Sequence, residues 1–296
     1  MYKAVVLTAV AAALMVSQAS AQDLAGTLKK IKETGTINIG HRESSIPFSY
    51  LDDKQQPIGY AMDLCMKVVD AVKAELKLPA LKVALQPVTS SNRIPLLQNG
   101  TIDLECGSTT NSVARQQQVA FGPTYFVINV TAAVKKTSGI NSLAELNGKN
   151  ISTTSGTTAV PLLKGYEKTK SVDVKEIYGK DHAESFLLMA DDRAVAFVMD
   201  DILLAGQIAN SKTPDAYKIL NESLRQEPYS MMLRKDDPQF KSLVDKTISG
   251  VMKSGEIEKI YAKWFTSPVP PKGINLKFQQ TAPLKDAFKT PNDKGV

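Results

Sequence analysis

Thr36-Ile-Asn-Ile-Gly40 is a short apolar segment typical of a buried strand, and the segments after it determine the fold class. Beyond a turn, apolar residues at helical spacing run from Met62 to about Leu76. Lys82 to Val88 has the pattern of a second strand, and Ile102 to Cys106 that of a third. Strands that alternate with helices in this way predict a layered α/β architecture.

The alternation continues in the second half of the chain. The segments predicted there are helix Ser142 to Leu146, strand Lys149 to Thr153, helix Thr158 to Tyr166, strand Val172 to Ile177, helix His182 to Met189, strand Ala194 to Met199 and helix Asp201 to Ala209. Two extended segments, Thr124 to Lys135 and Pro228 to Arg234, flank this set. Because a chain that leaves one unit and returns to it needs two crossings, these segments are predicted to form a paired hinge.

The remaining segments are short or polar. Ser90 and Ser91 precede a short apolar helix, which their hydroxyls are predicted to cap. Helices are predicted near Gln239 to Lys253 and near Glu256 to Phe265. The proline-rich stretch Pro268 to Pro271 follows, and the rest of the chain is predicted to be a polar tail.

The N-terminal residues 1–21 have the pattern of a secretory signal peptide. A cation at Lys3 precedes the apolar run Ala4 to Val16, and Ala19-Ser-Ala21 has the small residues of a cleavage site. The apolar run is shorter than the ~20 residues that span a bilayer, which argues against a membrane anchor. Since no cysteine lies near the cleavage site, lipid attachment at a new N-terminal cysteine is not expected. We therefore expect a soluble periplasmic protein.

Length and charge narrow the classes of function. A mature chain longer than the ~250 residues that a single core usually supports predicts two lobes. The formal net charge of +6 is spread along the sequence, which favours a small anionic ligand. Basic residues are not interleaved with aromatic residues in any tract, so nucleic-acid binding is not expected.

The cysteines and histidines give no metal-binding pattern. Cys65 falls on a predicted helix and Cys106 on a predicted buried strand, so the sequence leaves open both a disulfide and two packed free thiols. These cysteines and the two histidines are too widely separated for zinc-ligand spacing. The sequence also lacks the glycine-rich loops that bind phosphates or dinucleotides. Neither a metal nor a cofactor is therefore predicted.

Six stretches in the same order resemble the glutamate/aspartate-binding proteins of ABC amino-acid transporters, which belong to solute-binding protein family 3. They are Gly40-His-Arg-Glu-Ser-Ser-Ile-Pro-Phe-Ser49, Asn92-Arg-Ile-Pro-Leu-Leu-Gln-Asn-Gly-Thr101, Glu105-Cys-Gly-Ser-Thr-Thr-Asn111, Ser155-Gly-Thr-Thr158, Ala194-Val-Ala-Phe-Val-Met-Asp-Asp201 and Met232-Leu-Arg-Lys-Asp-Asp-Pro238. The resemblance covers nearly all of the mature chain. It implies a type II, two-lobed α/β fold with two crossing strands, in which residues 22–128 and 230–296 form one lobe and 129–229 the other.

The resemblance also implies how the amino-acid backbone of a ligand is held. Arg115 occupies the position of the arginine that binds the α-carboxylate, and a bidentate guanidinium suits that group. Ser108 and Thr110 are expected to complete this contact with their hydroxyl and N–H groups. Thr157 and Thr158 lie at a predicted helix N-terminus, which attracts anions. Asp200 matches the acid that binds the ligand ammonium.

A second group of residues implies an acidic ligand side chain. Many relatives that bind neutral or cationic amino acids have an acid where this sequence has Arg42, and an aromatic residue where it has Ser45. Arg93 and His182 also match positions in binders of acidic amino acids. All three could face a distal carboxylate, and Ser90 completes the predicted set. The predicted partners are therefore L-glutamate or L-aspartate and an ABC permease, with a monomeric binding protein.

Two other functions remain open at this point. An exported enzyme of the dehydratase type on the same fold would use Asp200, Glu105 or His182 as acid or base. A ligand-sensing partner of a membrane receptor would use the same binding site. The cluster of arginines favours binding an anion over proton transfer, so no catalytic residue is predicted.

Overall fold

A computed structural model of the chain describes residues 23–296, so the predicted signal peptide lies outside the described part. The helices are α1 (Gly26–Thr34), α2 (Tyr60–Leu76), α3 (Arg93–Gln98), α4 (Val113–Gln116), α5 (Ala159–Lys170), α6 (His182–Ala190), α7 (Asp201–Asn210), α8 (Pro238–Lys253), α9 (Glu256–Tyr261) and α10 (Ala282–Lys289). The strands are β1 (Thr36–His41), β2 (Ser44–Ser45), β3 (Ser49–Leu51), β4 (Pro57–Ile58), β5 (Lys82–Pro87), β6 (Leu104–Cys106), β7 (Val119–Phe121), β8 (Phe126–Lys135), β9 (Asn150–Thr154), β10 (Lys175–Gly179), β11 (Ala196–Asp200), β12 (Tyr217–Ile219), β13 (Arg225–Tyr229) and β14 (Met232–Arg234). The predicted α/β fold class is confirmed.

The first lobe is built on a sheet with the strand order β5-β1-β6-β14-β7. Strands β5, β1 and β6 are parallel, and β14 is antiparallel to its two neighbours. Ile37, Ile39 and Leu104 on these strands are fully buried and lie on one face of the sheet, since Ile39 is paired with Leu104. Because β1 and β6 are parallel neighbours, the residues that follow them meet at one edge of the sheet.

The second lobe is built on a sheet with the order β10-β9-β11-β8-β12, and β13 also pairs with β8. Strands β9, β10 and β11 are parallel, whereas β8 is antiparallel to β11. Helices α5, α6 and α7 each begin shortly after one of the parallel strands ends. Their N-termini therefore lie along a single edge of this sheet.

The chain crosses between the two sheets twice. It leaves the first sheet after β7, enters the second with β8, and returns between β13 and β14. The two crossings are bonded to each other, since the N–H groups of Gly122 and Tyr125 donate to the carbonyls of Met231 (2.9 Å) and Tyr229 (3.0 Å). The crossings are shorter than the segments predicted as a hinge, because most of the first segment forms β8.

Several boundaries differ from the sequence prediction. The predicted polar tail contains α10, which buries Leu284 and Phe288. The segment before β1 forms α1, which was also missed. The predicted helix Ser142 to Leu146 is only a 3₁₀ turn at Ala144–Leu146. Both missed helices are short, but each buries apolar residues at helical spacing, so the signal was present in the sequence.

Cys65 of α2 and Cys106 of β6 form a disulfide, with 6.0 Å between their Cα atoms. Both residues have no exposed surface, because α2 packs against β6. The sequence had left free thiols equally open. The bond fixes the end of β6, which directly precedes several of the predicted site residues.

Candidate functional site

The predicted site residues come together where the edges of the two sheets face each other. The first lobe contributes Arg42, Ser90, Arg93, Ser108, Thr110 and Arg115, and the second contributes Thr157, Thr158, His182 and Asp200. All of them are buried except Thr157, which is half-buried. Burying so many polar groups costs free energy unless they are paired or bind a polar ligand, so this arrangement marks a binding site.

Arg42 and Arg93 form a buried cationic pair with spare hydrogen-bonding capacity. Nη2 of Arg42 donates to Oγ of Ser90 at 3.0 Å, and Nη1 of Arg93 lies 3.5 Å from the carbonyl of Ser108. Among the described residues, Nη1 of Arg42, Nε of Arg93 and Oγ of Ser108 have no hydrogen-bond partner. Burial and the charge of Arg93 lower the pKa of Arg42 to about 10. A bound anion would satisfy these donors and relieve the repulsion.

The hydroxyl of Ser90 accepts a hydrogen bond from Arg42 and does not cap α3, so the predicted capping role is wrong. The residue at the helix start is Asn92, whose Oδ1 accepts from the N–H of Thr89 at 2.7 Å. The N–H of Asn92 donates in return to Oγ1 of Thr89 at 3.3 Å. The turn is closed by this reciprocal pair, which leaves the hydroxyl of Ser90 free to accept from the guanidinium.

His182 is held as a neutral imidazole beside Arg42. Its Nε2 lies 3.5 Å from Nη2 of Arg42, and its Nδ1 lies 3.0 Å from Oγ1 of Thr154. Burial, followed by the charges of Arg42 and Arg93, keeps the pKa of His182 well below its usual value. A guanidinium can only donate, so Nε2 is the acceptor and Nδ1 carries the proton. His182 thus orients Arg42 and adds no charge to the site.

Arg115 reaches across the cleft from the first lobe. Its Nη1 donates to the carbonyl of Thr110 at 2.9 Å, and its Nη2 donates to that of Gly156, in the second lobe, at 3.1 Å. Burial and the nearby charge of Arg93 lower its pKa to about 9. A guanidinium has five N–H donors, so three of them remain for a ligand. Arg115 also lines a groove of about 710 Å³ together with Thr157 and Thr158.

The threonines of the second lobe differ in their contacts. Thr158 precedes α5, and its hydroxyl makes no capping bond to that helix. The N–H and hydroxyl of Thr157 both donate to the carbonyl of Thr154, at 3.3 and 2.7 Å. The side chain of Thr157 therefore shapes the turn before α5, whereas that of Thr158 is directed into the cleft.

The acidic side of the site contains residues that the sequence analysis missed. The hydroxyl of Tyr229 donates to the carboxyl group of Asp200. Glu227 has no exposed surface and is bonded to Arg225, Thr110 and Thr158. Burial and the charge of Glu227 raise the pKa of Asp200 to about 8. Such a carboxyl group is poised to become ionised when a cation, such as an ammonium group, binds next to it.

The alternation of β13 was the signal that could have found these residues. Arg225, Glu227 and Tyr229 are two positions apart, so they lie on one face of the strand. The predicted hinge began only at Pro228, so Arg225 and Glu227 were given no role from the sequence. The predicted set of site residues therefore omitted the ion pair between buried Glu227 and half-buried Arg225.

Comparison with known proteins gives consistent results. The family model of bacterial extracellular solute-binding proteins, family 3, matches residues 37–267. An L-glutamate/L-aspartate-binding protein of Pseudomonas aeruginosa is 51% identical over 98% of this chain and 96% of its own length. A glutamate/aspartate import solute-binding protein of Escherichia coli is 48% identical over 99% of this chain and 97% of its own.

A solved structure has the same fold. The ancestral amino acid-binding protein AncCDT-1, a precursor of cyclohexadienyl dehydratase, superimposes with a TM-score of 0.70 at 28% identity. The match covers 81% of this chain and 99% of that protein. The predicted type II, two-lobed fold is confirmed.

Proposed function

Since the chain belongs to the bacterial extracellular solute-binding proteins of family 3, we propose that it captures L-glutamate or L-aspartate and delivers it to an ABC permease. The observation that carries this proposal is the buried pair Arg42 and Arg93, whose unpartnered nitrogen atoms face the same cleft as Arg115 and Asp200. The names of the similar proteins from Pseudomonas aeruginosa and Escherichia coli support the same ligands.

In this proposal the ligand is held at three points. Arg115 binds the α-carboxylate, and Asp200 binds the ammonium group. Arg42 and Arg93 bind the side-chain carboxylate, with Ser90, Ser108 and His182 orienting them. Because these groups come from both lobes, the ligand stabilises the closed arrangement through its differential contacts.

The proposal also covers location and organisation. Residues 1–21 act as a signal peptide for export to the periplasm, where the mature protein works as a monomer. Across residues 23–296, no helix combines the length and apolar character that a membrane crossing requires. One lobe comprises residues 22–128 and 230–296, and the other comprises residues 129–229. The end of β13 at Tyr229 supports the second boundary.

The alternative of an exported enzyme is not favoured. Both ring nitrogens of His182 contact protein groups. A role as a sensing partner would share the binding site. Growth on glutamate with and without the gene separates transport from sensing.

Calorimetric titration with the twenty amino acids tests the proposed ligand. The mature protein should first be unfolded and refolded, which removes any bound ligand. We expect glutamate and aspartate to bind and every other amino acid to bind at least tenfold more weakly. Equal binding of a neutral or basic amino acid would contradict the proposal.

The close approach of the lobes gives a second prediction. A Cβ atom added at Gly206 of α7 would lie 2.4 Å from the carbonyl oxygen of Ile46, in the first lobe. Gly206→Ala should therefore oppose closure and weaken glutamate binding by roughly 5- to 100-fold, the effect of ~1–3 kcal/mol of overpacking. Its melting temperature should change little.

Gly165→Ala is the matched control, because a Cβ atom at this position on α5 meets nothing within 4 Å. Calorimetry should give this variant the affinity of the wild type. X-ray scattering with saturating glutamate should show a larger particle for Gly206→Ala than for Gly165→Ala. Equal affinities and equal radii of gyration would show that closure does not bring Gly206 against Ile46.

A further inference from the structure

Glu227 is a buried carboxylate whose hydrogen-bonding capacity is fully used. Its Oε1 accepts from Nε of Arg225 at 2.9 Å and from Nη2 of the same residue at 2.5 Å. Its Oε2 accepts from the hydroxyl of Thr110 at 2.7 Å and from that of Thr158 at 2.6 Å. A carboxylate offers about four lone-pair sites, so all of them are occupied.

The two hydroxyls bonded to Glu227 belong to different lobes. Thr110 follows β6 of the first sheet, and Thr158 precedes α5 beside the second sheet. Glu227 lies on β13, which is paired with β8 in the second sheet. The backbone of Thr110 also pairs with that of Tyr229, two residues beyond Glu227, so the carboxylate lies where the lobes are joined and contacts one hydroxyl from each.

These contacts fix the direction of both hydroxyl protons. A carboxylate paired with a guanidinium is only an acceptor, and a hydroxyl has a single proton. The protons of Thr110 and Thr158 are therefore both directed to Glu227. Their remaining lone pairs can accept hydrogen bonds from a third group. That group must be a donor, and a ligand carboxylate is not one.

We propose that Glu227 is a positioning residue that makes Thr110 and Thr158 acceptors for the amino group of the ligand. The inference rests on the proposed function and extends it. It also changes the role expected for the hydroxyl of Thr110, from supporting the α-carboxylate to accepting from the ammonium group beside Asp200. Glu227 thus contributes to selectivity for amino acids over simple dicarboxylates, although it need not touch the ligand.

Glu227→Gln tests this role with two ligands that differ only in the amino group. An amide can donate to one of the hydroxyls and turn its proton into the cleft, so glutamate should bind roughly 10- to 100-fold more weakly. Glutarate has both carboxylates and no amino group, so its affinity should stay within threefold of the wild-type value. A merely structural role would weaken both ligands by the same factor.

Thr158→Val and Thr158→Ser supply a second measurement that does not depend on the stability of the Glu227 variant. The valine removes the acceptor and should weaken glutamate about tenfold, whereas the serine retains it and should bind like the wild type. Glu227→Gln and Thr158→Val together should weaken binding less than the product of their separate effects, because they disrupt one unit. If glutarate binds too weakly to measure, the comparison of the two single variants with the double variant tests the role of Glu227.

The outcomes separate the two proposals. A wild-type protein that binds neither glutamate nor aspartate overturns the proposed function. A wild-type protein that binds glutamate, with variants whose effects multiply independently, overturns only the role of Glu227. An equal loss of glutamate and glutarate in Glu227→Gln also overturns that role.

Discussion

Replacing Arg115 with methionine is expected to weaken glutamate binding by about two to four orders of magnitude, the effect of roughly 3–5 kcal/mol. The guanidinium is buried, and only two of its N–H groups are used by backbone carbonyls. Its removal would leave the α-carboxylate of the ligand desolvated and without a cation. Methionine retains much of the apolar length of the side chain, so the packing of the cleft should be largely preserved. Calorimetric titration with glutamate gives the affinity directly.

Arg234→Met is the matched control for this substitution. Arg234 is also partly buried and donates to the carboxylate of Asp103 at 3.3 Å, but it lies within the first lobe. We expect this variant to lower the melting temperature and to leave the affinity for glutamate within threefold. If Arg115→Met binds glutamate as tightly as Arg234→Met does, Arg115 does not bind the α-carboxylate.

Much of this site could be predicted because its residues follow parallel strands. Arg42 follows β1, and Asp200 ends β11, so an alternation of strands and helices was enough to place them at facing sheet edges. The identities of the residues then came from resemblance to known motifs. Neither step required knowledge of side-chain contacts.

Glu227 and Tyr229 could not be found in this way. They lie on β13, the strand of the second sheet that precedes the return crossing, where no motif was recognised. Their roles depend on contacts with Thr110, Thr158 and Asp200, which are distant in sequence. The same limit applied to the Cys65–Cys106 bond, since the pairing depends on how α2 packs against β6.

Discrimination between glutamate and glutamine is expected to be the largest effect, with glutamate favoured by ~10⁴ or more. The two ligands have nearly the same shape, so steric contacts cannot separate them. Glutamine would place an amide beside Arg42 and Arg93, whose unpartnered buried nitrogen atoms are donors. The amide NH₂ group is also a donor, and it adds no negative charge to that of buried Glu105, the carboxylate that raises the pKa of Arg42 most. A site built for an anion therefore rejects the amide strongly.

Arg42→Met and Arg93→Met should reduce this discrimination by lowering the affinity for glutamate. Each should weaken glutamate by far more than glutamine, because only glutamate loses an ion pair. Titrations at pH 7.5 are appropriate, since burial and the two arginines keep the pKa of His182 well below its usual value in the wild type. His182→Phe serves as a control that leaves both guanidinium groups in place, and it should retain a preference for glutamate. Glutamine that binds the wild type within tenfold of glutamate would exclude an ion pair with the side chain. The ligand would then be a polar, uncharged amino acid held by Arg115 and Asp200.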